Sequence, residues 1–379
     1  MVRPAMAQDQ DPRKDATEAT KSANAALLKE LPFSDRSDFA NAHRGFIAPL
    51  PAAVITGESG NPVWNPQQYG FIAESAAAPD TVNPSLWRQS QLINISGLFE
   101  VANGIYQVRN LDLSNMTIIE GKEGITVVDP LVSAETAKAG IDLYFAHRGP
   151  KPVKAVIYTH SHADHSPLAA RLKAITGART VAQGPVDPSR NVSLRLDASI
   201  DTDFTPDHRL SHGDVIDGPG WTLEAVFTPG HMSNHMSFAL REERALFSGD
   251  HVMAWATSVV APPDGNMGDY LQSLRLLLTR EDAVYYPGHG PARLEPLPLV
   301  QGYLAHRQMR EDAILTHIAQ GDRTIPELVR HIYADVDPKL HPAAALSTRA
   351  HLDDLVARGL LREIEGVYET VSSRSSGKR

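Results

Sequence analysis

The chain contains no cysteine. This excludes disulfides, thiolate nucleophiles and cysteine-type zinc sites together, so any bound metal must be held by His, Asp or Glu. No apolar run approaches the ~18–20 residues that a membrane-spanning helix needs. An excess of positive charge is missing as well: 36 Lys and Arg face 45 Asp and Glu, a formal net charge of −9. Such a balance offers no global footprint for nucleic acid or an anionic membrane. The sequence also lacks a Gly-rich phosphate loop, a dinucleotide fingerprint and internal repeats.

What is present is ordinary for a globular protein. Hydrophobic residues make up 42% and charged residues 21% of 379, enough to bury a core and to build two or three domains. Near the start, Ala5-Met6-Ala7 resembles the A-x-A end of a secretory signal, without the charged and apolar parts that should precede it. Together with the absence of cysteine this predicts a periplasmic or secreted protein, with a cytoplasmic one as the alternative.

Residues 15–31 read as a helix with Asp15 as N-cap, Glu18 three residues on and Pro32 past the end. Residues 32–93 are rich in Pro, Gly, Ala and Asn, and the scattered Trp64, Tyr69, Phe71 and Trp87 predict an irregular arm wrapped on a domain. From residue 98 short β-rich runs alternate with helices at 134–146 and 166–177, the latter with Leu168, Leu172 and Ile175 spaced to share one face. This texture predicts a layered α/β domain with sheets covered by helices. Helices are expected at 303–319, 324–333 and 343–358, followed by a hairpin turning at Glu365-Gly366. The expected organisation is a helix and extended arm at 1–95, a catalytic domain at 96–302, a winged-helix-like unit at 303–371 and a disordered tail at 372–379.

Chemistry concentrates in His160-Ser161-His162-Ala163-Asp164-His165, between an apolar strand and a helix, where α/β folds place their ligand sites. Alternate spacing lets His160 and His162 reach one metal, while Asp164 and His165 face a second. Packing is a poor explanation for this density of groups, since each unpaired imidazole or carboxylate would be costly to bury. Three further candidates, His231, Asp250 and His289, each end a strand beside glycine, in Thr228-Pro229-Gly230-His231, Ser248-Gly249-Asp250 and Pro287-Gly288-His289. Glycine lets the chain turn sharply there, so that side chains from several strand ends converge. His235 and His251 are read as non-ligands. His306, His317, His331, His341 and His351 are read as surface residues of the helical tail, whose Arg323, Arg330, Lys339, Arg349 and Arg358 are interspersed with acids and predict no DNA-reading wing.

This ordered set resembles the metallo-β-lactamase superfamily. The resemblance implies a four-layer αββα sandwich with an N-terminal arm and a C-terminal winged-helix-like domain. It implies two Zn2+, with other first-row divalent metals as alternatives: His160, His162 and His231 on one ion, Asp164, His165 and His289 on the other, and Asp250 between them. Asp164 and Asp250 would be the catalytic carboxylates. Asp129 matches the superfamily's buried carboxylate that orients the HxHxDH loop, with an ordinary turn Asp as the opposing reading. A hydroxide between two metals ~3.5–4 Å apart would then attack the substrate.

Two subfamilies are visible. Residues 15–160, with GNPVWNPQQYGFI and NMTIIEGKEGITVVDPLVSAETAKAG, are similar to secreted alkylsulfatases. Residues 160–371, with TPGHMSNHMSFAL, MGDYLQSLRLLL and YYPGHGP, are similar to glyoxalase-II-like and β-lactamase-like hydrolases that end in a winged helix. The expected activity is cleavage of an ester, thioester or related bond in a small-molecule substrate, with pocket walls from the second half. Alkylsulfatase and β-lactamase or endoribonuclease activities are the alternatives, followed by a non-enzymatic scaffold. RNA stays open as a partner, and a homo-oligomer is compatible with the sequence.

Overall fold

A computed structural model describes residues 14–165, 169–186, 200, 204–218 and 220–371. The Ala5-Met6-Ala7 segment, Leu168, the final tail and much of the stretch at 185–215 lie outside the described residues.

The arm holds more regular structure than its composition suggests. It contains α1 (Glu18–Glu30), α2 (Ser37–His43), β1 (Phe46–Ala48), a small hairpin β2 (Ile55–Thr56) and β3 (Pro62–Trp64), and α3 (Pro84–Ile93). Thr17, not Asp15, caps α1: its hydroxyl accepts the Thr20 amide. In α3, Pro84 occupies the first turn, where a missing N–H costs nothing, and the Asn83 side chain accepts the Ser85 amide.

The first sheet comprises β4 (Gly97–Ala102), β5 (Ile105–Arg109), β6 (Met116–Glu120) and β7 (Ile125–Val128), then β8 (Val153–Ile157), β9 (Arg179–Ala182) and β10 (His208–Arg209), with β1 on its edge. Helix α4 (Ala134–Arg148), opened by a Ser133–Thr136 capping box, and α5 (Ala169–Thr176) make its crossovers. The second sheet runs β11 (Val215–Gly218), β12 (Trp221–Phe227), β13 (Met236–Leu240), β14 (Ala245–Gly249), β15 (Val284–Pro287) and β16 (Arg293–Leu294), with α6 (Met267–Leu278) between β14 and β15.

The strands are apolar on both faces because both are buried. Across β5 and β6, Ile105 pairs with Ile119 and Tyr106 with Ile118. The first pair points between the sheets, meeting Met236, Phe238 and Phe247 of the second sheet. The second pair packs outward on Ile141 and Tyr144 of α4. On the far side, Val226, Leu246 and Tyr285 pack on Tyr270 and Leu274 of α6. These layers make the αββα sandwich. In α5, Leu172 is buried while Ile175 is exposed, so only part of the expected apolar face is used.

The last elements among the described residues are α7 (Leu297–Gln320), α8 (Ile325–Ile332), α9 (His341–Ala357) and the hairpin β17 (Leu361–Ile364) and β18 (Val367–Thr370). Helix α7 begins six residues before its expected start, with Pro298 in its first turn. The hairpin turns at Glu365 and Gly366, both with positive φ (51° and 79°), the two-residue turn that suits strand twist. Ile314, Ile318, Leu328, Leu352, Leu355, Leu361 and Tyr368 form this unit's own core. His351 is buried here rather than on the surface, and burial among Arg307 and Arg310 pushes its imidazole down to about 3.

Candidate metal centre and adjoining cleft

Parallel pairing of β7 with β8 and of β14 with β15 brings their C-terminal ends together. Asp129 follows β7, His160 to His165 follow β8, His231 follows β12, Asp250 follows β14 and His289 follows β15. All seven expected ligand residues converge. Donor atoms of His160, His162 and His231 lie within 4.8 Å of one another, as do those of Asp164, His165, Asp250 and His289.

The imidazoles are oriented from behind. His231 Nδ1 lies 2.6 Å from the Val259 carbonyl and His289 Nδ1 lies 2.7 Å from the Leu113 carbonyl. A carbonyl only accepts, so each Nδ1 carries a proton and each Nε2 turns inward toward the other donors. His165 Nδ1 meets Asp129 at 3.0 Å. Thr159 donates its hydroxyl to Asp129 at 2.7 Å and therefore accepts from His160 Nδ1 at 2.9 Å. The inward His162 Nδ1 stands 3.1 Å from His160 Nε2 and 3.0 Å from His231 Nε2.

Asp250 lies between the two groups. Its Oδ1 is 3.4 Å from His165 Nε2, and its Oδ2 is 3.2 Å from His289 Nε2 and 3.9 Å from His231 Nε2. Asp164 Oδ1, His165 Nε2 and Asp250 Oδ1 are buried without a hydrogen-bond partner. Buried polar atoms are rarely left so. Burial opposes charge on His165 and His289, yet the surrounding carboxylates outweigh it, lifting His165 well above its ordinary value and His289 to about 10. Burial opposes the Asp164 anion too, but His165 and His289 bring it down to about 2. The face made by these carboxylates strongly favours a cation.

Several supports were not visible as such in the sequence. Asn115 clamps the His289 loop, its backbone amide donating to Gly288 and its side chain to the carbonyls of Pro287 and Gly290. Ser114 donates to the Asp164 carbonyl at 2.5 Å, and Asp112 accepts the amides of Ser114 and Val132. His235, which is fully buried, accepts the Asp250 amide at 3.2 Å and meets Thr228 Oγ1 at 2.9 Å. From α7, Tyr303 reaches the carbonyls of Met253 and Ala256 and Arg307 that of Ser258, which steadies the loop holding His231. The only sequence signal for the first group was a run of polar residues, Asp112, Ser114 and Asn115, between apolar strands.

A cleft of about 240 Å³ adjoins His289. Leu92, Ile93 and Ile95 of the arm line it, facing Met253 and Trp255, with Arg109 in its wall. Arg109 donates to Gln107 and to the Ala42 carbonyl and lies over the Phe99 ring. Burial lowers it only to about 10, so it stays charged at neutral pH. The second half was expected to supply the pocket walls, yet its Pro/Gly-rich loop at 261–268 takes no part in this lining; its Asp264 accepts from Ser233 instead.

Residues 109–289 match the family described as the metallo-β-lactamase superfamily, and residues 324–368 the β-lactamase-associated winged-helix domain. The segment that carries every donor of the site is thus the part that matches this superfamily, and its donor set is consistent with a metal-dependent hydrolase. Among curated proteins it is similar to a linear primary-alkylsulfatase of a Pseudomonas species, 73% identical over 152 residues, 40% of this chain and 23% of that protein. It is also 51% identical over 165 residues to an (R)-specific secondary-alkylsulfatase of a Pseudomonas species, 44% of this chain and 25% of that one. Thus the chain spans about a quarter of the length of these relatives. A β-lactamase-like protein 2 homolog of Drosophila melanogaster is 28% identical over 239 residues, 60% of this chain and 79% of that protein. The solved structure of the stereoselective inverting sec-alkylsulfatase Pisa1 from Pseudomonas superposes with TM-score 0.70 at 27% identity, covering 89% of this chain and 62% of that one.

Proposed function

We propose that the chain hydrolyses sulfate esters of long alkyl chains at a centre of two zinc ions. The observation that carries the substrate reading is the cleft beside His289, whose apolar walls come from the alkylsulfatase-like arm as well as the catalytic domain. The similarity to two alkylsulfatases supports it.

The residues fit the ions. His160, His162 and His231 would hold one, Asp164, His165 and His289 the other, with Asp250 shared. The inward imidazole nitrogens and the unpartnered Asp164, His165 and Asp250 atoms supply the donors, and a set of imidazole and carboxylate suits zinc. When bound, such ions polarise the substrate oxygen and lower the pKa of water to about 7. The chain's own residues do the rest. Asp129 and Thr159 hold His165 and His160 in one tautomer. Leu92, Ile95 and Trp255 would take the alkyl chain and exclude water, leaving the sulfate at the His289 end.

A second reading, hydrolysis of a small ester or thioester, rests on the β-lactamase-like similarity over 60% of the chain. A panel of dodecyl sulfate, an S-acylglutathione, a chromogenic β-lactam and RNA on zinc-loaded protein separates them. Dodecyl sulfate should be the best substrate at matched concentration. Faster thioester cleavage would replace the first reading with the second, and turnover of none would refute both.

A further inference from the structure

The winged-helix unit contains a second grouping of donor atoms, away from the strand ends. His317 sits in the last turn of α7, Asp322 follows the Gly321 C-cap, and His331 lies in the last turn of α8. Both imidazoles turn the same nitrogen to one oxygen: Nδ1 of His317 is 3.1 Å and Nδ1 of His331 2.5 Å from Asp322 Oδ2. The two rings lie nearly parallel, 5.6 Å between centroids at 19°. All three donors fall within 4.8 Å of one another.

We propose that His317, Asp322 and His331 form a third binding site, for a divalent cation of the zinc, nickel or copper class. Two imidazoles and a carboxylate are the donor set these metals take. Donors sharing one ion at ~2.0–2.1 Å stand roughly 3–3.5 Å apart, the separation of His317 Nδ1 from Asp322 Oδ2; His331 Nδ1, closer at 2.5 Å, would open slightly to admit the ion. The anchors are rigid before any ion arrives. Gly321 ends α7 in the left-handed region at φ 113°, and the Asp322 amide donates to the His317 carbonyl at 3.1 Å. Ile318, next to His317, is buried in the unit's core, and Ile332, next to His331, packs against that core. Solvent reaches the site, since the His331 side chain is 43% exposed, so water can complete the coordination. The two imidazoles donating N–H to Asp322 make an adequate ion-free arrangement, and a cation would take the place of those protons.

Bound there, the ion would tie the end of α7 to α8. This proposal is independent of the substrate reading, because no residue of the strand-end centre takes part. Equilibrium dialysis of the zinc-loaded full chain, wild type against Asp322→Asn and His331→Gln, tests it by direct metal analysis. Wild type should bind one equivalent more than either variant, with unchanged hydrolysis. Cobalt(II) added to protein carrying only two equivalents of zinc should give a d–d spectrum that both variants lack. Equal stoichiometry and equal spectra in folded wild type and variants would overturn the site.

Discussion

Asp129 and His165 are joined at 3.0 Å through Oδ2 and Nδ1, and the same carboxylate accepts the Thr159 amide and hydroxyl. Asp129 holds a positive φ of 51° to do this, a conformation that Asp tolerates better than most residues. One carboxylate therefore orients His165 directly and His160 through Thr159. Asp129→Asn leaves the volume unchanged but puts an NH2 where an acceptor is needed. Metal affinity should fall ~10–100-fold, as for other partners behind ligating imidazoles. Chelator competition on the folded variant measures it, and an unchanged affinity would remove Asp129 from the account.

Gly288 should be as intolerant as a ligand. A Cβ there would stand 2.4 Å from Asp250 Oδ1 and 2.7 Å from His165 Cε1. Gly288→Ala should therefore displace the shared carboxylate and cost at least tenfold in turnover, with roughly 1–3 kcal/mol of stability from overpacking. Gly302→Ala, where a Cβ on α7 meets nothing within 4 Å, is the control and should gain about 0.5–1 kcal/mol. Chemical unfolding and turnover of the two variants settle the comparison; a fully active Gly288→Ala contradicts the packing described.

Trp255 forms one wall of the cleft next to His289. Removing it in Trp255→Ala should cost dodecyl sulfate about tenfold in kcat/KM, the ~1.5 kcal/mol expected for part of a buried chain. Butyl sulfate, too short to use the wall fully, should lose little. Equal losses for both chain lengths would mean that the cleft does not read the alkyl chain.

The convergence of the seven candidate donors was legible because their signals are local: all follow strands, three sit beside glycine, and four fall within six residues. The arm was not. In α3, Trp87 and Leu92 are buried while Leu86 and Ile93 are exposed, so its apolar residues follow no clean helical stripe; only Asn83-Pro84 marks its start. Asn115 and Asp112 look like turn residues in the sequence, and their burial depends on strands far away in the chain. His351 was misplaced for the same reason: a lone histidine on a helix carries no sign of what packs over it. The arm's part in the cleft likewise arises from tertiary packing.

His351 also gives the winged-helix unit a pH dependence. Its folded pKa is lowered to about 3, first by burial and then by Arg307, Arg310, His306 and Arg358. The unfolded imidazole binds a proton near 6.5, so between about 6.5 and 3 the unfolded state takes up more protons. Stability should be full above pH 6.5 and decline as pH falls through that window. His351→Leu should flatten the decline in Tm measured from pH 7 to pH 4.5; an identical slope in both proteins would show that His351 is not its source.

The two strand-end groups are proposed to hold the metal that drives hydrolysis. Metal content and dodecyl sulfate turnover should be measured together in Asp322→Ala protein, which leaves only the strand-end centre, and then with His162→Ala or Asp250→Ala added. Two zinc ions per chain are expected, with loss of activity on chelation and its return with zinc, and turnover lower by orders of magnitude in folded proteins lacking either ligand. Full activity in metal-free protein, or near-normal turnover without His162 or Asp250, would contradict that proposal.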